Sequence, residues 1–193
     1  LEMMITRIAP LILVFLTLIS CNSAALNTVM SKASGLETPQ LHVTAEPGAP
    51  QRQMGLLNRG VKFMIMQTEI LEDVEIWAVS DGPQVFIKDG MIIGTRGFGP
   101  DLMSAQAPSL ATIKALRDHS RVYNELDGTD RLITQSFTCS VETSSNTATQ
   151  LTLDEVCRNA ETVLRNRFVF DGNSNLQASK QWISTDGGFA IIE

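Results

Sequence analysis

The sequence predicts an all-β fold: one antiparallel domain over residues 40–193, a β-sandwich or a strongly curved sheet, with one short helix. Three observations carry that expectation. Five Asp-Gly dipeptides (Asp81-Gly82, Asp89-Gly90, Asp127-Gly128, Asp171-Gly172, Asp186-Gly187) punctuate the chain at intervals that suit a meander of hairpins rather than alternating strands and helices. The segments between them alternate apolar and polar residues with a period of two. Only one stretch shows helical spacing.

The elements follow in order. LHVTAEP is a short alternating run stopped by Pro47. VKFMIMQTEI and VEIWAVSDG are longer runs of strand type. In PQVFIKDGMIIGTRGFG the apolar runs VFI and MII flank Lys88-Asp89-Gly90, a strong hairpin signal because Gly accepts the positive φ that the turn demands. PSLATIKALRDH, with Leu110, Ile113 and Leu116 loosely aligned, is the expected helix, capping the sheet. In RLITQSFTCSVET one face carries Ile133, Phe137, Cys139 and Val141, with Gln135 as the exception. Thr134, Ser136, Thr138, Ser140 and Glu142 fill the other face, so one side is buried and one is wet. QLTLDEVCRN places Leu151, Leu153 and Cys157 on one face.

Both of these strands turn a cysteine inward. Directly opposed residues on antiparallel neighbours lie within disulfide reach, at about 4.5–5.5 Å. An even pair in an exported chain favours a Cys139–Cys157 bridge over two buried free thiols.

Export is read from the N-terminus. The apolar run Ile8 to Ile19 is too short to span a bilayer, which takes roughly 20 apolar residues. Arg7 precedes it and small residues follow, the layout of a secretory signal over residues 1–20, with Met3 or Met4 the expected start. Ser23-Ala24-Ala25 would suit an ordinary signal peptidase. Leu18-Ile19-Ser20-Cys21 instead resembles a lipobox and is preferred, making Cys21 the lipid attachment point and the membrane a partner through that anchor. Asn22, where Asp would favour retention in the inner membrane, leans towards the outer one. Residues 21–39 then form the lipidated cysteine and a small, polar, aperiodic tether.

The chain is 44% hydrophobic and 19% charged, enough to bury a core. Its net charge is −6, and no basic run is present, which argues against a nucleic-acid partner. Nucleophile-elbow, P-loop and paired-cysteine zinc motifs are missing, Gly97-Phe98-Gly99 lacks the third glycine of a dinucleotide loop, and no cofactor is implied. His42 and His119 have no acid or cysteine arranged with them as a catalytic set and read as filler rather than as bases. Asp171-Gly172-Asn173-Ser174-Asn175 begins like a calcium loop, but Leu176 and Trp182 occupy the positions for Gly and Glu, so it reads as a turn. Glu125, Asp127 and Asp130 could in principle serve glycosidic hydrolysis, but they read more simply as solvated acids of a hairpin tip. No catalytic residue is expected.

TRGFGPDLMSAQAPSL, VYNELDGTDRLITQSFTCSVET and ASKQWISTDGGFAIIE resemble, in order, blocks of the YjbF/GfcB family, the group 4 capsule polysaccharide lipoproteins. The resemblance runs from about Gly82 to the end. It implies an all-β, secreted, lipid-anchored protein of a Gram-negative cell envelope, outer-membrane and facing the periplasm, acting with polysaccharide export machinery and carrying no established catalytic residue. Asp101, Asp127, Lys180, Gln181 and Trp182 are the implied candidates for a glycan or partner surface. Lys180 stands where Arg is expected, which forgoes a bidentate contact. Phe189 replaces Tyr, and Val169 replaces a Trp after Arg167-Phe168. Gln181-Trp182-Ile183 reads first as a strand with its aromatic packed on the sheet, and second as a sugar platform.

Overall fold

The computed structural model describes residues 48–80, 82–99, 101–127, 129 and 131–193. Cys21, the tether, His42 and LHVTAEP lie outside the described residues. Twelve strands follow in chain order: β1 (Gln51–Leu56), β2 (Val61–Leu71), β3 (Val74–Ala78), β4 (Gln84–Lys88), β5 (Met91–Arg96), β6 (Leu102–Gln106), β7 (His119–Leu126), β8 (Leu132–Asn146), β9 (Gln150–Arg158), β10 (Val163–Asp171), β11 (Leu176–Ser184) and β12 (Gly188–Ile192). A single 3₁₀ turn, Leu57–Arg59, joins β1 to β2, and a one-turn helix α1 (Leu110–Lys114) lies between β6 and β7.

All twelve strands form one sheet in the order β5-β4-β3-β2-β1-β12-β11-β10-β9-β8-β7-β6. Each strand pairs antiparallel with its chain neighbour except at β5 and β6, the two edges, while β1 and β12 lock the middle. Among the described residues, Asp89-Gly90 and Asp186-Gly187 fall between consecutive strands, and Asp171-Gly172 ends β10 and opens the turn to β11. The tightest is Asp89-Gly90, with φ of 46° and 73°, both in the left-handed region that a two-residue hairpin requires.

The sheet is not a sandwich. It curls until its edges meet, giving a nearly closed barrel. At the seam the Leu102 N–H donates to Thr95 Oγ1 at 2.9 Å. A Cβ on Gly94 would stand 3.6 Å from the Leu102 carbonyl oxygen, in ordinary van der Waals contact, so β6 runs directly alongside β5 here. Bulges supply the curvature by adding local twist. Register shifts occur at Gln67/Glu69, Phe86/Ile87, Leu102/Ser104, Thr143/Ser145, Val169/Phe170 and Trp182/Ser184.

Two apolar clusters fill the interior. The larger gathers Met54, Ile65, Trp77, Leu102, Phe137 and Trp182 with their neighbours. The smaller one, Met91, Ile113, Leu153, Phe168 and Phe170, closes the barrel end beneath α1. The predicted helix exists but is shorter than its spacing suggested. Ser109 caps it by accepting from the Thr112 N–H at 3.2 Å, and Leu116, at φ 53°, turns the chain outward instead of continuing the apolar face. The helix is pinned at both sides: the Leu110 N–H donates to Asp89 Oδ2 at 2.7 Å, and Lys114 Nζ donates to the Ser174 carbonyl at 3.3 Å.

Candidate functional site

Strand alternation puts the odd residues of β7 inside: Arg121, Tyr123 and Glu125. Across the interior, β9 contributes Glu155 and β10 contributes Asn166, both fully buried. These polar groups form one network. Glu155 Oε1 accepts from Arg121 Nε at 2.8 Å and from His119 Nε2, and its Oε2 accepts from Asn166 Nδ2 at 2.6 Å. Arg121 Nη2 rests 3.2 Å from Met91 Sδ, and Asn166 Oδ1 accepts the Trp182 N–H at 2.8 Å. The Tyr123 hydroxyl sits beside Arg121 and Asn166 but meets neither in hydrogen-bond geometry, so it is a buried donor without a formed bond.

The electrostatics follow from burial against pairing. Burial alone would raise the Glu155 pKa, but bonds from His119, Arg121 and Asn166 reverse it and hold the carboxyl below its ordinary value. Burial likewise opposes the charged His119 ring, yet the Glu155 carboxylate and the Arg117 carbonyl, 2.9 Å from Nδ1, raise its pKa. With a carbonyl at one nitrogen and a carboxylate at the other, both ring nitrogens donate, as in imidazolium. The network is therefore two cations and one anion, with Asn166 as the neutral connector. A metal is poorly served here. His119, Cys139 and Glu155 place donor atoms within 4.8 Å of one another, but the Cys139 sulfur is bonded to Cys157 and Arg121 already occupies the carboxylate.

The Cys139–Cys157 bridge is present and joins directly opposed residues of β8 and β9 with Cα atoms 4.0 Å apart. The other sequence-predicted residues are scattered. Asp101 closes the β5–β6 connection, its carboxylate accepting from Thr95 Oγ1 at 2.9 Å, the Gly97 N–H at 2.8 Å and the Phe98 N–H at 3.1 Å. Asp127 organises the β7–β8 turn through the Thr129 and Arg131 N–H groups and the Arg131 guanidinium. Chiefly the Arg131 backbone bond holds its pKa down. Lys180, on the outer wall, lies 4.7 Å above the Phe189 ring, beside an Arg167 fork filled by Asp154 at 2.7 and 2.9 Å.

Gln181 and Trp182 are both buried, so the strand with its aromatic packed inside is the reading the structure carries, and the glycan or partner surface is corrected for these two residues. Gln181 ties opposite walls together, accepting the Ile92 N–H at 3.0 Å and donating to the Gly90 carbonyl at 2.8 Å. Trp182 packs edge-on against Tyr123 at 4.7 Å because the β10–β11 ladder ends at Arg167↔Lys180 and Asn166 takes over its N–H. Glu125 is also no solvated turn acid. It is 4% exposed and accepts from Gln135 Nε2 at 2.6 Å, the Thr185 N–H at 2.7 Å and Thr185 Oγ1 at 2.6 Å, which docks the β11–β12 hairpin onto β7 and β8. Asp171 spends its carboxylate on the Asn173 and Asn175 N–H groups, so that loop is a turn, as its sequence reads.

Sequence reasoning missed Glu155, Arg121 and Asn166. The signal was available: Glu155 stands between Leu153 and Cys157 on the inward parity of β9, and Arg121 two residues before Tyr123 on β7.

Comparison with known proteins agrees with the fold. No curated protein matches the chain. The crystal structure of the hypothetical lipoprotein YmcC from Escherichia coli (K12) is similar at a TM-score of 0.62 and 11% identity, covering 84% of this chain and 92% of that one. The family model for the group 4 capsule polysaccharide lipoproteins gfcB and YjbF matches residues 34–193, and on that match, over a twelve-stranded barrel with the Cys139–Cys157 bridge in place, the chain belongs to the YjbF/GfcB family.

Proposed function

We propose that this protein is a lipid-anchored envelope protein that assists the production or export of a capsular or extracellular polysaccharide without itself catalysing a reaction. Family membership across residues 34–193 is the observation that carries the reading. The anchor is a diacylated Cys21 and the location the periplasmic face of the outer membrane, with export-machinery proteins and the glycan as partners. The carboxylates support a non-catalytic role. Asp101 and Asp127 are spent on turn N–H groups and Glu125 on a docked hairpin, so none is left poised as an acid or base.

The test is deletion of the gene with quantification of surface polysaccharide. A reduced amount is expected, and an unchanged amount overturns the reading. Asp101→Asn and Asp127→Asn chains should each restore polysaccharide in the deletion strain. Sugar release by the purified protein that either change abolished would establish an enzyme instead.

A further inference from the structure

The barrel end opposite α1 holds a cleft of about 460 Å³, lined by Ile133, Gln135, Asn159, Glu161, Thr162 and Thr185 among others. Its size lies within the range of small-molecule sites. It exists because β8 outruns β9: their ladder begins only at Thr138↔Arg158, so residues 132–137 continue along β7 with the β9–β10 turn beyond them. The floor is rigid. Gln135 Nε2 donates to both Glu125 Oε1 (2.6 Å) and Thr185 Oγ1 (3.1 Å), which leaves the Gln135 carbonyl oxygen as an acceptor for the cleft. Asn159 is fixed as well. Its Oδ1 accepts the Glu161 and Thr162 N–H groups at 2.9 and 2.7 Å, and its amide hydrogens remain to be offered.

We infer that this cleft binds a neutral oligosaccharide segment, an inference that deepens the proposed role in polysaccharide export and rests on it. The lining is a preset mixture of amide and hydroxyl donors and acceptors suited to sugar hydroxyls. Ile133, 39% exposed although it lies on the inward parity of β8, supplies an apolar patch for a pyranose C–H face. Among the described residues no Lys or Arg lines the cleft and Glu161 does, so an anionic or phosphorylated ligand meets repulsion rather than a counter-charge.

Asn159→Asp is the discriminating variant, because the new carboxylate still accepts the two turn N–H groups while the amide donor disappears. Titration calorimetry on the full chain, purified in a sugar-free detergent, would use malto-, cello- and chitohexaose. It would also use hexagalacturonate and neutral oligosaccharides cut from the producing strain's own surface polysaccharide. At least one neutral oligosaccharide is expected to bind, with hexagalacturonate weaker. Asn159→Asp should weaken the neutral ligand by about tenfold at unchanged melting temperature, and Thr162→Trp, which fills the cleft, should abolish binding. Absence of any neutral binding, preference for hexagalacturonate, or equal binding by both variants overturns the assignment. Gene deletion separates the two readings: polysaccharide lost on deletion but restored by both cleft variants leaves the export role standing and removes the cleft from it.

Discussion

Glu155 concentrates the molecule's electrostatic risk in one side chain. It is fully buried and answers three donors, so removing it leaves Arg121 and His119 as uncompensated buried cations. Glu155→Ala is expected to cost about 3–5 kcal/mol, read as a fall in the urea midpoint. A loss under about 1 kcal/mol would show that solvent reaches the network. The same bonds set the pH dependence. Glu155 has a depressed pKa, so its contribution is present above its ordinary 4.5 and disappears as pH falls through the folded value. His119 has a raised pKa, so its contribution is complete below its ordinary 6.5 and disappears as pH rises through the folded value. Stability should therefore peak between roughly pH 4.5 and 6.5 and decline on the alkaline side. His119→Gln should flatten that alkaline decline, and an unchanged slope in thermal scans at stepped pH would contradict the pairing. At this scale the sequence was only partly legible. A charged residue on an inward parity looks like an interruption of the pattern until its partners, 34 and 36 residues away, are known.

Among the elements, the hairpins were the most legible because Asp-Gly turns are local and each meander strand pairs with its neighbour. What escaped were the places where a side chain replaces the ladder. Gln181 bonds β5 across a separation of 89 residues, and Asn166 takes the Trp182 N–H. That is why two residues read as candidate surface are interior struts. Gly90 shows how a turn serves packing as well as direction: at φ 73°, an added Cβ would sit 2.8 Å from Leu176 Cδ2 and 2.9 Å from Leu110 Cδ1. Gly90→Ala should lower the melting temperature and loosen α1, visible as faster amide exchange at Ile113. Protection equal to the parent would refute the coupling. The β8–β9 pair carries the disulfide, whose cysteines are 18 residues apart. Replacing both cysteines by Ala should cost on the order of 3 kcal/mol, roughly 6–12 °C in melting temperature for a domain of this size. An unchanged melting temperature would show that the barrel holds β8 and β9 in register without it.

Over the whole molecule, the sequence predicted an antiparallel all-β domain but left sandwich and curved sheet unresolved. Closure depends on a contact between the first-half edge β5 and the second-half edge β6, made through Thr95 and Leu102, and no periodicity announces it. The resulting barrel is plugged by α1 at one end and holds the polar cleft at the other. The proposed lipid anchor at Cys21 would make the proposed envelope role a positional one. Cys21→Ser should abolish incorporation of a clickable fatty acid, and equal labelling of parent and variant would remove lipidation from the account. The most direct measurement is surface polysaccharide in the gene-deletion strain carrying either the parent chain or the Cys21→Ser chain at matched expression. Deletion should lower polysaccharide, the parent chain should restore it, and the unanchored chain should restore markedly less. Polysaccharide that stays at the undeleted level throughout would contradict the proposed role.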